Sequence, residues 1–102
     1  MKEKEVFSIH AEACKMFSNE VRLEIIDHLR DGEKTVSELA EATGLNQPNV
    51  SQHLAKMREK NFVETRKEGT QIYYSIANKK IFEAIDLMRE IIKEQMIDPS
   101  AL

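Results

Sequence analysis

Apolar residues recur at helical spacing over five stretches of the chain and alternate with polar ones over two. Val6, Ile9, Ala13 and Met16 share one face of a first predicted helix, residues 3–17. Val21, Ile25, Ile26 and Leu29 define a second, with Ser18 as its predicted N-cap and Asp31-Gly32 as its stop. The third opens on Thr35-Val36-Ser37-Glu38, a capping box in which Thr35 and Glu38 satisfy each other's backbone donors. It is expected to turn Leu39 and Ala42 inward and to end at Gly44. The fourth takes Asn46 as N-cap and carries Pro48 in its first turn, where a missing N–H costs nothing. Val50, Leu54 and Met57 lie at i, i+4 and i+7 and form its buried stripe. Residues 62–66 and 71–76 are extended, with residues 67–70 as the turn and Gly69 supplying a positive φ. Ile72, Tyr74 and Ile76 alternate with Gln71, Tyr73 and Ser75, as in a half-buried strand. The last helix is expected over residues 79–96, ended by Asp98-Pro99. It has two apolar stripes, Ile81, Ile85, Met88 and Ile92 on one and Ala84, Leu87 and Ile91 on the other. A terminal helix on a small domain cannot bury both in its own core, so the excess predicts a subunit interface. The fold class is mainly α with a small β-hairpin: five helices and two strands.

Composition bounds this picture. At 102 residues and 11.8 kDa the chain is one domain, residues 1–102, with a single core. Hydrophobic residues at 41% and charged residues at 32% exclude a membrane-embedded or low-complexity chain. No apolar run approaches the ~20 residues of a membrane span, and no signal peptide is expected. The one cysteine cannot form an intramolecular disulfide and fits a reducing cytoplasm. Three glycines, two prolines and 6% aromatics disfavour a β-sandwich. The net charge of −3 argues against blanket polyanion binding, but the charge is uneven. Residues 46–80 carry seven basic residues against three acids, and the rest of the chain eight against fifteen. Either a polyanion-binding face or chance clustering accounts for that. No glycine-rich phosphate loop, nucleophile elbow or paired carboxylates appear, so an enzyme is not expected.

Helices three and four are the informative pair. Ala40, Gly44 and Val50 fall where a helix-turn-helix needs a small residue, a turn glycine and an apolar contact. Leu39, Leu45 and Leu54 fill the neighbouring apolar slots. Gln47, Asn49, Ser51, Gln52, His53 and Lys56 lie off the apolar stripe, and no acid occurs from Asn46 to Arg58. Gln and Asn can pair bidentately with adenine, and Ser or Lys can hold phosphate. The hairpin tip then reads as a wing beside the same duplex, with Arg66, Lys67 and Thr70 as candidate contacts and Glu68 as an objection. A helical hairpin in a small bundle with a solvated polar face is the plainer alternative.

Three segments together resemble the ArsR/SmtB-type transcriptional repressors. Phe17-Ser18-Asn19-Glu20-Val21-Arg22-Leu23-Glu24-Ile25-Ile26 is similar to that family's second helix. Val36-Ser37-Glu38-Leu39-Ala40 through Gln47-Pro48-Asn49-Val50-Ser51-Gln52-His53-Leu54 is similar to its helix-turn-helix, and Arg66-Lys67-Glu68-Gly69-Thr70-Gln71-Ile72-Tyr73-Tyr74 to its wing. The resemblance implies a winged helix-turn-helix and double-stranded DNA read at two half-sites. It also implies a homodimer joined through the first and last helices, here Val6, Ile9 and Ala13 with Ile81, Ile85, Met88 and Ile92, and in many members release by an inducer. The inducer of this chain is not indicated.

The metal positions depart from the family. Its third-helix Cys-x-Cys falls on Thr35 and Ser37, which are not soft-metal ligands. Its last-helix zinc set falls on Asn78, Lys80, Ile91 and Glu94, of which only Glu94 is retained. No metal site and no cofactor are therefore expected. His10 and Cys14 share a face at i, i+4, so two copies could present two His and two Cys, or Cys14 could be an oxidisable thiol. The plainer expectation is that Cys14 packs as a small apolar residue. The reading from another class is a winged helix serving as a protein-interaction adaptor.

Overall fold

The computed structural model describes residues 2–96. The elements run α1 (Glu3–Phe17), α2 (Glu20–His28), β1 (Lys34–Thr35), α3 (Val36–Thr43), α4 (Gln47–Glu59), β2 (Val63–Glu68), β3 (Gln71–Ile76) and α5 (Lys80–Gln95). The five helices lie within a residue or two of expectation, except that α2 stops at His28, ahead of Asp31-Gly32. The end that Asp98-Pro99 were expected to impose on α5 lies outside the described residues.

Local chemistry sets most helix ends. The α3 capping box forms as anticipated: the Glu38 N–H donates to Thr35 Oγ1 at 3.1 Å, and the Thr35 N–H to Glu38 Oε1 at 3.0 Å. Gly44 closes α3 in the left-handed region at φ 75°, where a Cβ would be strained. Asn46 Oδ1 accepts the Asn49 N–H at 2.8 Å and starts α4. The cap of α2, however, is Asn19 and not Ser18. Asn19 has the extended backbone a cap requires and accepts the Arg22 N–H at 3.1 Å. Ser18 terminates α1 instead, its hydroxyl donating to the Cys14 carbonyl.

The core is the helix-turn-helix and its supports. Ile25, Ile26 and Leu29 of α2, Leu39 and Ala40 of α3, and Val50, Leu54 and Met57 of α4 close over Met16, Val63 and Ile76. Ala42 is exposed, contrary to expectation. The inward positions of α3 are 36, 39, 40 and 43, a single 3.6-residue stripe, and position 42 falls off it.

The sheet has three strands, one more than expected, in the order β1-β3-β2, all antiparallel. At two residues β1 is too short to show alternation in the sequence. β2 also runs two residues further than expected, to Glu68, so the loop is Gly69-Thr70 alone. Gly69 has φ 60° and Thr70 has no positive φ, the pattern of a type II′ turn.

Burial separates the outer helices from this body. Of α1 only Met16 is buried, while Val6, Phe7 and Ile9 are exposed, Phe7 by 70%. No residue of α5 is fully buried, and Leu87, Met88 and Ile91 are exposed, Leu87 by 59%. Two of the expected interface positions, Ile81 and Ile85, are half-buried against the protomer's own core. Ala13 and Ile92 are half-buried. Arg30 ties α5 to α2 by pairing with Asp27 and Asp86 at 2.7 Å each, its guanidinium 5.1 Å above the Phe82 ring. The projecting elements give a radius of gyration of 15.1 Å, against about 13 Å for a compact domain of this length.

Candidate nucleic-acid interface

The sequence of α4 divides it into a held side and a free side. Val50, Leu54 and Met57 are fully buried. Gln47, Ser51, Gln52 and Lys56 are exposed, and Asn49 is half-buried. Because the stripe is clamped between α2 and α3, the rotation of α4 about its axis is fixed, and the exposed residues are presented in a set order. Gln47 is further oriented by α3: its amide nitrogen donates to Ser37 Oγ at 3.2 Å. That leaves the carbonyl oxygen and one N–H free, the pair a purine edge requires.

His53, expected among the DNA contacts, is engaged within the protomer. It is half-buried, and its Nδ1 accepts a hydrogen bond from Arg22 Nε at 3.3 Å. That bond requires an unprotonated Nδ1. Burial, then the charges of Arg22 and Lys56, hold the His53 pKa below its ordinary value, in keeping with the neutral form. His53 thus links α4 to the start of α2. Arg22, which the apolar pattern gave no reason to single out, is the residue that makes the link.

Arg66 and Lys67, both expected as contacts, lie on opposite faces of the hairpin. Successive strand residues point to opposite faces. Val63, Thr65 and Lys67 share one face with Ile76, Tyr74 and Ile72, while Arg66 and Glu68 share the other with Tyr73 and Gln71. Near the body the first face is buried at Val63 and Ile76. At the tip it has left the core, so Lys67 and Ile72 are exposed, the latter against the expectation of a half-buried position. Thr70 is exposed in the loop. Arg66 is occupied. Its Nε lies 3.2 and 3.1 Å from the two Glu33 carboxylate oxygens, its Nη2 also reaches Glu33, and its Nη1 is 2.9 Å from Glu68. The guanidinium sits 4.7 Å above the Tyr73 ring. Arg66 stays firmly protonated between the two carboxylates, and Glu33 is held below the usual carboxylate range by Arg66.

His10 and Cys14 are both exposed on α1. The expectation that Cys14 packs as a small apolar residue is not met within the protomer, where it is exposed. Thr35 and Ser37, the third-helix positions weighed above for a metal, have their hydroxyls engaged by Glu38 and Gln47. Among the described residues no helix is long and apolar enough to cross a membrane.

The arrangement is one that known regulators share. The family model described as "Bacterial regulatory protein, arsR family" matches residues 19–65, from the cap of α2 into β2. The transcriptional activator HlyU of Vibrio cholerae is 36% identical over 77 residues, which cover 76% of this chain and 71% of HlyU. The biofilm growth-associated repressor of Xylella fastidiosa is 36% identical over 81 residues, covering 79% and 71%. Two HTH-type regulators of Mycobacterium tuberculosis are longer, and the matches span 57% and 39% of their lengths. The solved homodimeric winged helix-turn-helix DNA-binding domain of Mb0332 from Mycobacterium bovis superposes with a TM-score of 0.82 at 31% identity, covering 94% of this chain and 89% of that one. A capped helix pair whose second helix carries no acid before Glu59, a two-stranded wing and these likenesses carry one conclusion: the chain belongs to the arsR family of bacterial regulatory proteins, winged helix-turn-helix transcriptional regulators.

Proposed function

We propose that this chain, as a single domain paired with a second copy, binds double-stranded DNA at two half-sites and represses transcription in the cytoplasm by occupying a promoter. The observation that carries the reading is the free side of α4: Gln47, Asn49, Ser51, Gln52 and Lys56 stand over a fully buried stripe with no acid among them. In that geometry the first turns of α4 enter the major groove, with Gln47, Asn49 and Gln52 toward base edges and Lys56 toward phosphate. Lys67 and Thr70 at the wing tip lie along the flank. Val6, Phe7 and Ile9 of α1 with Leu87, Met88 and Ile91 of α5 supply the apolar surface a second copy would cover. The homodimeric state of the Mb0332 domain supports that pairing. Two readers on a twofold axis would then sit about 34 Å apart, one turn of DNA. The reading assigns no metal, since the hydroxyls at the third-helix positions are committed within the fold. HlyU carries the name of an activator, which favours a second reading: the same complex activates where its operator lies clear of the polymerase site.

Duplexes selected from a random pool test the reading. Gln47→Ala, Asn49→Ala and Gln52→Ala should each cost about 1–3 kcal/mol on the selected duplex and relax preference at one base position per half-site. An unchanged ratio of selected to scrambled affinity in all three removes α4 as the reader. Leu87→Glu combined with Met88→Glu should sediment as a monomer, because each charge enters an apolar contact. A wild-type monomer at tens of micromolar overturns the paired reading.

A further inference from the structure

Arg66 reaches across the whole sheet. Its opposite neighbour on β3 is Tyr73, and Tyr73 in turn faces Thr35 on β1. Glu33 immediately precedes β1 and lies one pleat repeat from Thr35, on the same face. Strands spaced about 4.8 Å apart put β1 roughly 10 Å from β2, a distance that a small side chain cannot bridge and an arginine can. The Arg66 stem therefore crosses β3, its guanidinium lies over the Tyr73 ring, and its nitrogens close on Glu33 at the far edge and Glu68 beside it. Two strands and the loop between α2 and β1 meet at this one side chain. The hairpin tip has no core beneath it, because Ile72 is exposed and the apolar contacts end at Tyr74.

We propose that Arg66 is a positioning residue for DNA binding, a clasp that fixes the wing to the body through Glu33 and Tyr73, and that Lys67 on the opposite face makes the wing's phosphate contact. The proposal rests on the reading that the wing lies along the duplex. A free arginine at a wing tip would itself seek phosphate. This one already has two carboxylates at hydrogen-bond distance and an aromatic face beneath it, which together use its charge and its planar fork. The two carboxylates also bring negative charge to that face, which would repel a backbone if it approached there. The adjacent face has Lys67 and no acid. The wing thus separates its functions by pleat: one face holds position, the other meets the polyanion.

The two roles predict opposite signs for one substitution. Glu33→Gln removes a negative charge, so if Arg66 were the phosphate ligand, it would free Arg66, strengthen binding and steepen the salt dependence. With Arg66 as a clasp, Glu33→Gln weakens binding to a duplex selected from a random pool by about three- to tenfold and leaves the salt slope unchanged. It also speeds amide exchange at residues 67–71 of the free protein. The double exchange Glu33→Arg with Arg66→Glu restores the ion pair with its polarity reversed and should recover most of the lost affinity, which loss of a phosphate contact would not allow. Stronger binding by Glu33→Gln, unaltered amide exchange, or no recovery in the exchanged pair overturns the proposal. Lys67→Ala reads the docking of the wing separately: the salt slope should fall by about one. If neither slope nor affinity changes, the wing does not touch DNA and the proposal is overturned, while the Gln47, Asn49 and Gln52 variants decide separately whether α4 binds the duplex. Thermal melting of each variant accompanies the titrations, and since all the exchanged groups are exposed or half-exposed, folding should persist.

Discussion

The two elements proposed to meet DNA are held in place by different physics. α4 is fixed by burial: three apolar side chains at zero exposure, a cap on its first turn and a neutral histidine bonded to Arg22. The wing is fixed by charge, with an arginine between two exposed carboxylates, stacked on a tyrosine. Burial depends little on ionic strength, whereas an exposed ion pair weakens as salt is raised. A helix that selects sequence needs a fixed angle, while a wing that tracks a backbone tolerates some freedom. The division of anchoring follows the division of tasks.

The comparison breaks most severely in the core. Leu54→Ala should cost about 2–5 kcal/mol, because it empties a fully enclosed site between α2, α3 and α4. Denaturant unfolding would show a lower midpoint, and sequence preference should fail along with stability. If stability drops and the preference of the remaining folded protein is intact, burial does not set the angle of α4.

A smaller effect is expected at the start of α4. Asn46→Ala removes the acceptor for the Asn49 N–H and should cost about 1 kcal/mol. It frays the turn that carries Gln47 and Asn49, so the loss in preference should exceed that from an equally destabilising change elsewhere in the core. Comparing the two at matched melting temperature sharpens the point.

The weakest effect is a pH dependence that separates the two anchors. The folded-state pKa of His53 lies below its unfolded value, so the unfolded chain binds a proton first. Stability is full above about pH 6.5 and is lost as pH falls through that value toward the folded one. Glu33 has the same sign at a lower pH: its folded pKa is held below 4.5, so its contribution is full above about that value and is lost as pH falls from there through the folded one. Between pH 7 and 5.5, therefore, α4 loosens while the wing clasp stays closed. His53→Asn keeps an acceptor near the Nδ1 position and does not titrate, so melting curves of that variant should be flat over the window. A wild-type curve equally flat would show that the Arg22–His53 bond contributes nothing.

Much of the body was legible from residues that act within one turn of themselves. Thr35 with Glu38, Asn46 with Asn49, and Gly44 each settle a helix end through a contact three or four residues away, and the stripe of Val50, Leu54 and Met57 needs only the helical period. Ser18 and Asn19 show the limit of that logic. Both are good caps, and which one serves depends on where α1 releases the chain. The strand β1 had no legible signal, because two residues cannot alternate and its partner Tyr73-Tyr74 lies about forty residues on. The clasp was hidden for the same reason. Glu33 and Arg66 are 33 positions apart, and only the order β1-β3-β2 brings them onto one face. The candidate contacts on α4 were assigned from side-chain chemistry, which could mark His53 as polar but not reveal that Arg22 already held it. The extra stripe on α5 was visible, yet Ile81 and Ile85 could not be told from Leu87 and Met88 until the helix was placed against the core.

The two-residue loop at the wing tip also constrains how such a hairpin can vary over evolution. With Gly69-Thr70 as the whole connection, length can change only within the paired strands, and the pairing places Arg66 opposite Tyr73 and Lys67 opposite Ile72. Adding one residue to each strand below Arg66 would rotate both side chains to the other face, carrying the lysine to the side of Glu33 and the arginine, together with Glu68, away from it. Adding two to each strand beyond Glu68 would lengthen the wing, leave every facing intact and keep Arg66 level with Glu33. Insertions and deletions in a wing of this design should therefore be tolerated in steps of two residues per strand, and single-residue changes should require a bulge to absorb them.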